Sequence, residues 1–368
     1  MHAALLVNSA WLDDESATFP QLTVGLIDEQ VRLTRVVPRD AEGPGLGDTP
    51  LFGTRLTWPE SRVAAINHRR LVRLAEALDA EGVTLLHTLH RDLWSPAAVI
   101  GDQLDLPVVF SVQAEPDAAA AGRLARQLTP GRCVFAATTA PLADATRDAV
   151  AGLVPVEHVP PGVHVGEPRD ETPDGDGDDR APCLAVCGDG VMDDAYQQFL
   201  LAVREVVDQR PDVQLFFDGQ RTDQHQVWKA AQKLALLPNL SFVPRRLGHR
   251  EMLLMADAMV HPQRLGRSRA LTLSAMAHGV PVLAAADPAL DYLLPDRTAW
   301  VLDDPAPGTY ADAWAGLLLR VFGAPDAARA LGRSARDWVR DHRLASDQIA
   351  RLLSLYRQAT GEPLPFPG

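Results

Sequence analysis

The sequence predicts an α/β protein with two doubly wound Rossmann-like domains that face each other across a cleft, and with a helical C-terminal tail. Three observations support the two-domain α/β prediction. The chain has 368 residues, and domains average roughly 150 residues. Short apolar segments alternate with longer segments of helical period, as in a mostly parallel sheet covered on both faces. The alternation stops once, at an acidic segment, and then starts again.

The composition excludes several classes of protein. With 35 Lys and Arg against 48 Asp and Glu the formal net charge is −13, and an acidic chain without a basic tail is a poor nucleic-acid binder. No apolar run approaches the roughly 18 residues of a membrane-spanning helix. The first residues lack the basic start of a signal peptide, and three cysteines are too few for a disulfide framework. We therefore expect a cytoplasmic protein, either free or peripheral to the membrane.

The first half of the chain is expected to open with a buried strand at Met1–Val7. Apolar residues predict further strands at Thr23–Ile27 and Leu33–Val37, and helical spacing predicts a helix at Val63–Leu78. The other elements predicted here are helices at 96–104, 119–128 and 143–151, and strands at 107–112 and 133–137.

The acidic segment Gly166–Arg180 contains seven acids, two prolines and no large apolar residue, which is typical of a solvated linker. The predicted parts of the chain are a first domain at 1–165, the linker at 166–181, a second domain at 182–345 and a tail helix at 346–368.

After the linker the alternation of strands and helices resumes. Predicted strands lie at 184–187, 213–217, 240–243, 258–261 and 281–284, and predicted helices at 194–207, 224–236, 251–255, 270–278, 311–321, 327–341 and 346–358. Sheets of this kind bind ligands beyond the carboxyl ends of their strands. A cleft between the two domains is therefore the expected binding site.

Three motifs carry a resemblance to a known family. They are Val159–His164 (VPPGVH), Ala256–Pro262 (ADAMVHP) and Ala275–Val282 (AMAHGVPV). Together they resemble the nucleotide-sugar glycosyltransferases of family 4, which have the GT-B fold. The resemblance implies a last helix that returns to the first domain. It also implies a retaining transfer of a hexosyl group from a nucleoside-diphosphate sugar to a glycan or glycolipid acceptor, with no obligatory metal and no cofactor.

The resemblance also assigns site positions. The family places an arginine and a lysine beside the leaving diphosphate, and these fall on Asp189 and Asp194. Its two glutamates fall on Gly266 and Ser274, and a first-domain histidine falls on Gln113. None of these five side chains matches the family.

A sixth feature differs as well, because Leu12–Ser16 stands where the family has a glycine-rich loop. The charge reversal carries the greatest weight. At an effective dielectric near 20, a unit charge pair at about 4 Å is worth roughly 4 kcal/mol before screening, whereas micromolar affinity is only about 8 kcal/mol. We therefore expect that the chain does not bind a sugar nucleotide in the family's usual way.

A basic segment favours the opposite conclusion, that an anion binds in the second domain. Arg264, Arg267 and Arg269 surround Ser268, a predicted N-cap, where a helix should begin. Cations oppose the dipole at a helix N-terminus, so an anion is expected nearby. Three interpretations stay open: ion pairs of Arg267 or Arg269 with the two aspartates, a relocated anion-binding site, or solvated arginines on a surface loop.

Two histidines, His87 and His90, lie close together but lack the spacing of a helical metal-binding pair. We expect His87 to line the cleft or the core.

Two functions follow from the resemblance and its departures. The first is a silent or non-standard relative that serves as a binding module or as the partner subunit of an intact glycosyltransferase. The second is an active retaining glycosyltransferase that acts on a bacterial glycan or glycolipid.

Overall fold

The computed structural model describes residues 1–15, 18–41, 52–58, 64–129, 131–166, 181–188, 190–218, 224–243, 248–303 and 309–362. The chain divides into two compact units. The first unit contains Met1–Gly162 together with Ala345–Gly368, and the second contains Val163–Leu344. None of the helices in the described ranges is both long and apolar enough to cross a bilayer.

A seven-stranded parallel sheet forms the centre of the first unit, in the order β3-β2-β1-β4-β5-β6-β7. Its strands are β1 (His2–Leu6), β2 (Arg32–Pro38), β3 (Thr54–Trp58), β4 (Leu85–Thr88), β5 (Val108–Val112), β6 (Cys133–Ala137) and β7 (Val156–His158). The strand order reverses between β1 and β4, and this reversal marks the switch point where open sheets of this type bind ligands.

The helices of the first unit are α1 (Ser9–Glu15), α2 (Thr18–Asp28), α3 (Ala64–Ala80), α4 (Trp94–Leu104), α5 (Glu115–Ala125), α6 (Ala140–Val150) and α13 (Ala345–Thr360). The tail helix α13 packs against α2. A Cβ on Gly25 would lie only 2.7 Å from the side chain of Ile349, so the missing side chain allows this close approach.

The predicted strand at Thr23–Ile27 is wrong, because these residues belong to α2. Phe19, Leu22 and Leu26 are buried at helical spacing, and this period extends beyond the five residues that resembled a strand. The Thr23 hydroxyl donates a hydrogen bond to the Phe19 carbonyl one turn earlier.

A buried polar contact fixes the tail helix to the sheet. Tyr356 of α13 places its hydroxyl 2.6 Å from Nδ1 of His87, on β4, and Nε2 of His87 lies 2.9 Å from the Ser111 hydroxyl, on β5. Burial lowers the pKa of His87 to about 3 and raises the pKa of Tyr356. Both groups are therefore neutral at pH 7, so no charge is buried.

A six-stranded parallel sheet forms the centre of the second unit, in the order β10-β9-β8-β11-β12-β13. Its strands are β8 (Cys183–Val186), β9 (Gln214–Asp218), β10 (Leu240–Val243), β11 (Ala258–His261), β12 (Val282–Ala285) and β13 (Ala299–Leu302). Its helices are α7 (Asp194–Gln209), α8 (Gln224–Lys233), α9 (Gly248–Met255), α10 (Ala270–Ala277), α11 (Tyr310–Gly323) and α12 (Pro325–His342).

The long helix α12 packs directly on the end of α10. A Cβ on Gly332 would lie 2.0 Å from the carbonyl oxygen of Gly279. That distance is a steric clash, and the backbone of Gly279 could not move aside to relieve it. The glycine therefore allows the backbones of the two segments to touch, which fixes the helix that follows the basic segment.

These two parallel sheets confirm the predicted α/β class. The sequence prediction omitted the strands β3, β7 and β13 and the helix α1. The omitted strands are three to five residues long, and such short segments show little periodicity. Most of the predicted linker, residues 167–180, lies outside the described residues.

We predict that His87 makes the stability of the protein fall in acid. The pKa of His87 is about 3 in the folded state and about 6.5 in an unfolded chain. The unfolded state therefore binds more protons between these values, so stability is full above pH 6.5 and is lost as the pH falls towards 3. In urea unfolding at a series of pH values, His87→Gln should show a shallower loss than wild type.

The matched control is His164→Gln, since His164 is exposed and its ring loses little water on folding. This variant should keep the pH slope of the wild type. An unchanged slope in His87→Gln would show that the buried histidine does not contribute to acid lability.

Candidate functional site

The switch point of the second sheet lies between β8 and β11, where the strand order reverses. Two loops leave the sheet there. One begins at Cys187, directly after β8, and the other is the basic segment, residues 262–269, between β11 and α10. The backbone N–H of Cys187 donates to the carbonyl of Val260, so the two strand ends are held side by side.

A buried carboxylate shapes the basic segment. Oδ2 of Asp287 accepts the backbone N–H groups of Leu265 at 3.0 Å and Gly266 at 2.9 Å, and Oδ1 accepts the N–H of Ala289. Gly266 has φ +60, a conformation that suits glycine. Arg264 is half exposed, with its Nε 3.9 Å from Oδ1 of Asp287.

Arg269 occupies the N-cap position of α10, and its side chain does not cap the helix. The residue is only 2% exposed, and its Nη1 lies 3.8 Å from Sγ of Cys187. Its backbone N–H donates to the Tyr292 hydroxyl at 3.2 Å, and burial raises the pKa of that hydroxyl. The Arg269 side chain therefore reaches from the start of α10 to the end of β8.

These observations correct two expectations. Ser268 is not the N-cap, because the helix begins at Ala270, as its predicted bounds have it, and the residue before it is Arg269. The interpretation of three solvated arginines is wrong for Arg269, which is buried, whereas Arg264 is exposed and Arg267 is of intermediate exposure. The backbone of Arg269 is extended (φ −135, ψ 123), and its side chain ends beside Cys187 instead of in solvent.

A buried histidine lies beside the arginine. His261, the last residue of β11, hydrogen bonds through Nε2 to the Thr272 hydroxyl of α10. Burial, and to a smaller extent the charge of Arg269, lower the pKa of His261 to about 3. This histidine is therefore neutral and is poorly suited to accept a proton near pH 7.

Two aspartates, Asp193 and Asp194, lie where the loop after β8 ends and α7 begins. Asp193 is the N-cap of α7, where its side chain accepts the backbone N–H of Tyr196 at 2.8 Å. The Gln263 amide donates to the other oxygen of Asp193 at 3.3 Å, which connects the two loops. Asp194 is exposed and makes no ion pair with any residue in the described ranges, so the expected pairing with the arginines is not formed there. Asp189 lies outside the described residues.

The remaining assigned positions do not belong to the two loops. Ser274 is half-buried in the second turn of α10, and its carbonyl contacts Nδ1 of His278 at 2.7 Å. In the first unit, Gln113 directly follows β5, and its backbone N–H donates to Asp117 at 3.0 Å. Residues 12–15 belong to α1, so a helix stands where the resemblance places a glycine-rich loop.

The site therefore lies where the two loops contact each other and lead into α7 and α10. The structure brings together Arg264, Gly266, Arg267, Ser268 and Arg269 at the start of α10. Cations predominate there, whereas carboxylates predominate at the start of α7. Within the described ranges, no group of three or more metal-binding side chains is present.

The sequence prediction missed three residues that shape this site. Asp287 lies two residues after the end of β12. Sheets of this type bind ligands beyond their strand ends, so an acidic residue at this position could have been predicted to belong to the site. Cys187 and Tyr292 carry no such signal, because small or aromatic apolar residues usually serve in packing.

Comparisons with known proteins agree with this architecture. Residues 181–320 match the family model described as "Glycosyl transferases group 1". No curated protein sequence matches the chain significantly.

Solved structures match nearly the whole chain. A glycosyltransferase from Rickettsia africae has a TM-score of 0.73 at 11% identity, over 98% of this chain and 99% of its own. The HepE protein of Anabaena, solved with UDP-glucose, has a TM-score of 0.72 at 14% identity, over 96% and 100%. Sucrose-phosphate synthase from Thermosynechococcus elongatus has a TM-score of 0.70 at 17% identity, over 99% and 100%.

At these low identities the structural matches establish the fold alone, and the function must be argued from the residues of the site. The family match lies within the second unit and includes both switch-point loops. The chain therefore has the GT-B fold, and its residues 181–320 match the family model of the group 1 glycosyl transferases.

Proposed function

We propose that this chain is a glycosyltransferase-like protein whose nucleotide-sugar site is closed by its own side chains. It would act as a glycan-binding module or as the partner subunit of an intact glycosyltransferase, in the cytoplasm or at the membrane surface. The observation that carries the proposal is the buried Arg269 side chain, which reaches from the start of α10 to Cys187.

The family resemblance places the donor diphosphate between the start of α10 and the loop after β8. Helix N-termini attract phosphate through their N–H groups and their dipole. Here Arg269 supplies the positive charge from inside the protein, and at 2% exposure its guanidinium offers little surface to a ligand. A diphosphate in the family's position would have to displace this side chain.

Carboxylates at the start of α7 would also repel a diphosphate bound in the family's position. Asp193 already occupies the N-terminus of α7, and Asp194 stands exposed at its first residue, where the resemblance places a lysine. Each carboxylate about 4 Å from a phosphate charge opposes binding by roughly 4 kcal/mol at an effective dielectric of 20, before screening. Two such contacts would cancel most of a micromolar affinity, which corresponds to about 8 kcal/mol.

A second function, active transfer with a relocated phosphate contact, has one observation in its favour. Arg264 is exposed, with 50% of its side chain in solvent, on a segment that Asp287 holds in place. Together with Arg267 it could contact a phosphate from the rim of the site. HepE of Anabaena, which shares the fold, has been solved with UDP-glucose.

The proposed function is tested by a release assay with a mixture of UDP- and GDP-sugars. We expect free UDP and GDP to appear no faster with the protein than in buffer, because the protein would offer no accessible site to the diphosphate of the donor. Release that depends on the protein, and that Arg267→Ala abolishes, would contradict the proposal and support active transfer.

We also predict that Arg269 contributes to stability. Arg269→Ala should lower the free energy of unfolding in urea by about 3 kcal/mol, because it empties a buried position that a long side chain fills. Arg264→Ala is the matched control. Its exposed contact with Asp287 should be worth less than about 1 kcal/mol. A stable Arg269→Ala variant with weakened nucleotide binding would instead identify Arg269 as a ligand contact.

A further inference from the structure

An exposed basic row lies on helix α8 of the second unit. His225, Lys229 and Lys233 follow one another at intervals of four residues on this helix, so their side chains share one side of it. All three residues are exposed, whereas Val227 and Ala231 are buried on the side of the helix that faces the core. We name the three exposed residues the α8 row.

The α8 row is a local exception in an acidic chain. The sequence has 48 acids in 368 residues, about one in eight, yet the stretch from Gln224 to Val243 contains none. It contains both lysines of the chain, since every other Lys or Arg position is an arginine. Within the described residues, neither lysine side chain makes an ion pair or a hydrogen bond. Both ammonium groups can therefore meet an anion from outside.

An aromatic side chain borders the row on one flank. Trp228 is 48% exposed, although tryptophan is highly buried on average. The other flank of the helix is occupied, because the side chain of Gln226 accepts the backbone N–H of Met192 at 3.4 Å. A ligand that lies along the row can therefore add apolar contact on the Trp228 side.

The spacing of the two lysines suits an extended ligand. Residues four apart on a helix are separated by about 6 Å along its axis. Alternate residues of an extended peptide are separated by about 6.6 Å and point to the same side. A peptide with acids at alternate positions can therefore place one carboxylate at Lys229 and the next at Lys233. Lysine suits such single contacts because its ammonium is a compact charge on a flexible stem.

The surroundings of the row favour a peptide over a flat anionic surface such as a membrane. Helix α7 lies beside α8, since Arg204 of α7 donates to the carbonyl of Leu234, just beyond the end of α8, at 3.4 Å. It exposes Asp194 and Glu205, and the whole chain has a net charge of −13. These carboxylates would repel an anionic membrane. A single peptide can follow the row, because more distant charges are screened beyond about 8 Å at physiological salt.

We propose that the α8 row binds an extended acidic peptide segment of a partner protein, with acids at alternate positions and an apolar side chain against Trp228. The proposal rests on the partner-subunit role proposed above and names the segment that such a partner would present. Because its residues all belong to one helix, it is tested without any nucleotide.

The test is NMR of the full chain labelled with ¹³C at the Cε atoms of lysine. Because the chain has only two lysines, Lys229 and Lys233, both signals report on the α8 row. The probe is a short peptide of alternating glutamate and serine that ends in leucine, and the control peptide has glutamine in place of glutamate. The acidic peptide should shift both signals, and the control peptide should shift neither.

Variants separate the contributions of charge and apolar contact. Lys233→Gln, followed through the signal of Lys229, should weaken binding of the acidic peptide about threefold, whereas Lys233→Arg should retain it. Trp228→Ala should weaken binding of the peptide that ends in leucine and should leave binding of a peptide that ends in serine unchanged. Arg351→Gln is the matched control, since Arg351 is an exposed cation on α13, and it should not change binding.

Three outcomes would overturn the proposal: no shift with the acidic peptide, equal shifts with the two peptides, or a stronger response to vesicles of equal parts phosphatidylserine and phosphatidylcholine. Nucleotide release in the assay described above would contradict the closed nucleotide site without changing these lysine signals. The failure of one proposal is therefore distinguishable from the failure of the other.

Discussion

The buried guanidinium of Arg269 is the constraint on which the second unit depends. An arginine cannot lose its charge inside a protein, so the surrounding residues must accommodate it. They do so where two strand ends and a helix start meet: Nη1 lies 3.8 Å from Sγ of Cys187, and His261 beside the guanidinium stays neutral. We propose that this cation fills the position in which other members of the fold would bind an anion.

The two switch points of the chain differ in a way that the fold does not determine. In the second unit, the long charged side chain of Arg269 is buried and connects the two loops through its contact with Cys187. In the first unit, the buried Asn8 amide contacts Nδ1 of the partly exposed His90, with the Asp92 carboxylate beside it. One fold thus carries a buried cation at one switch point and a partly exposed polar cluster at the other, and fold alone would predict neither.

Much of the fold could be predicted from the sequence because strand and helix periods alternate clearly on both sides of the acidic segment. The errors have local causes. Residues 23–27 are apolar enough to resemble a strand, and only the longer helical period of α2 shows otherwise. At the candidate site, the resemblance predicts which residues stand in place of the family's cations and glutamates, and these assignments stay predictions. The sequence could not show that Arg269 turns inward while Arg264 stays exposed, because that depends on the backbone angles at the helix start and on Asp287, which is about twenty positions away.

Calorimetric titration of the chain with UDP tests the central claim most directly, since it measures nucleotide affinity without any need for an acceptor. We expect no binding heat at millimolar UDP, because we propose that Arg269 closes the diphosphate site and that Asp193 and Asp194 repel an anion there. Saturable binding with a micromolar Kd, in the unmodified protein, would contradict the account.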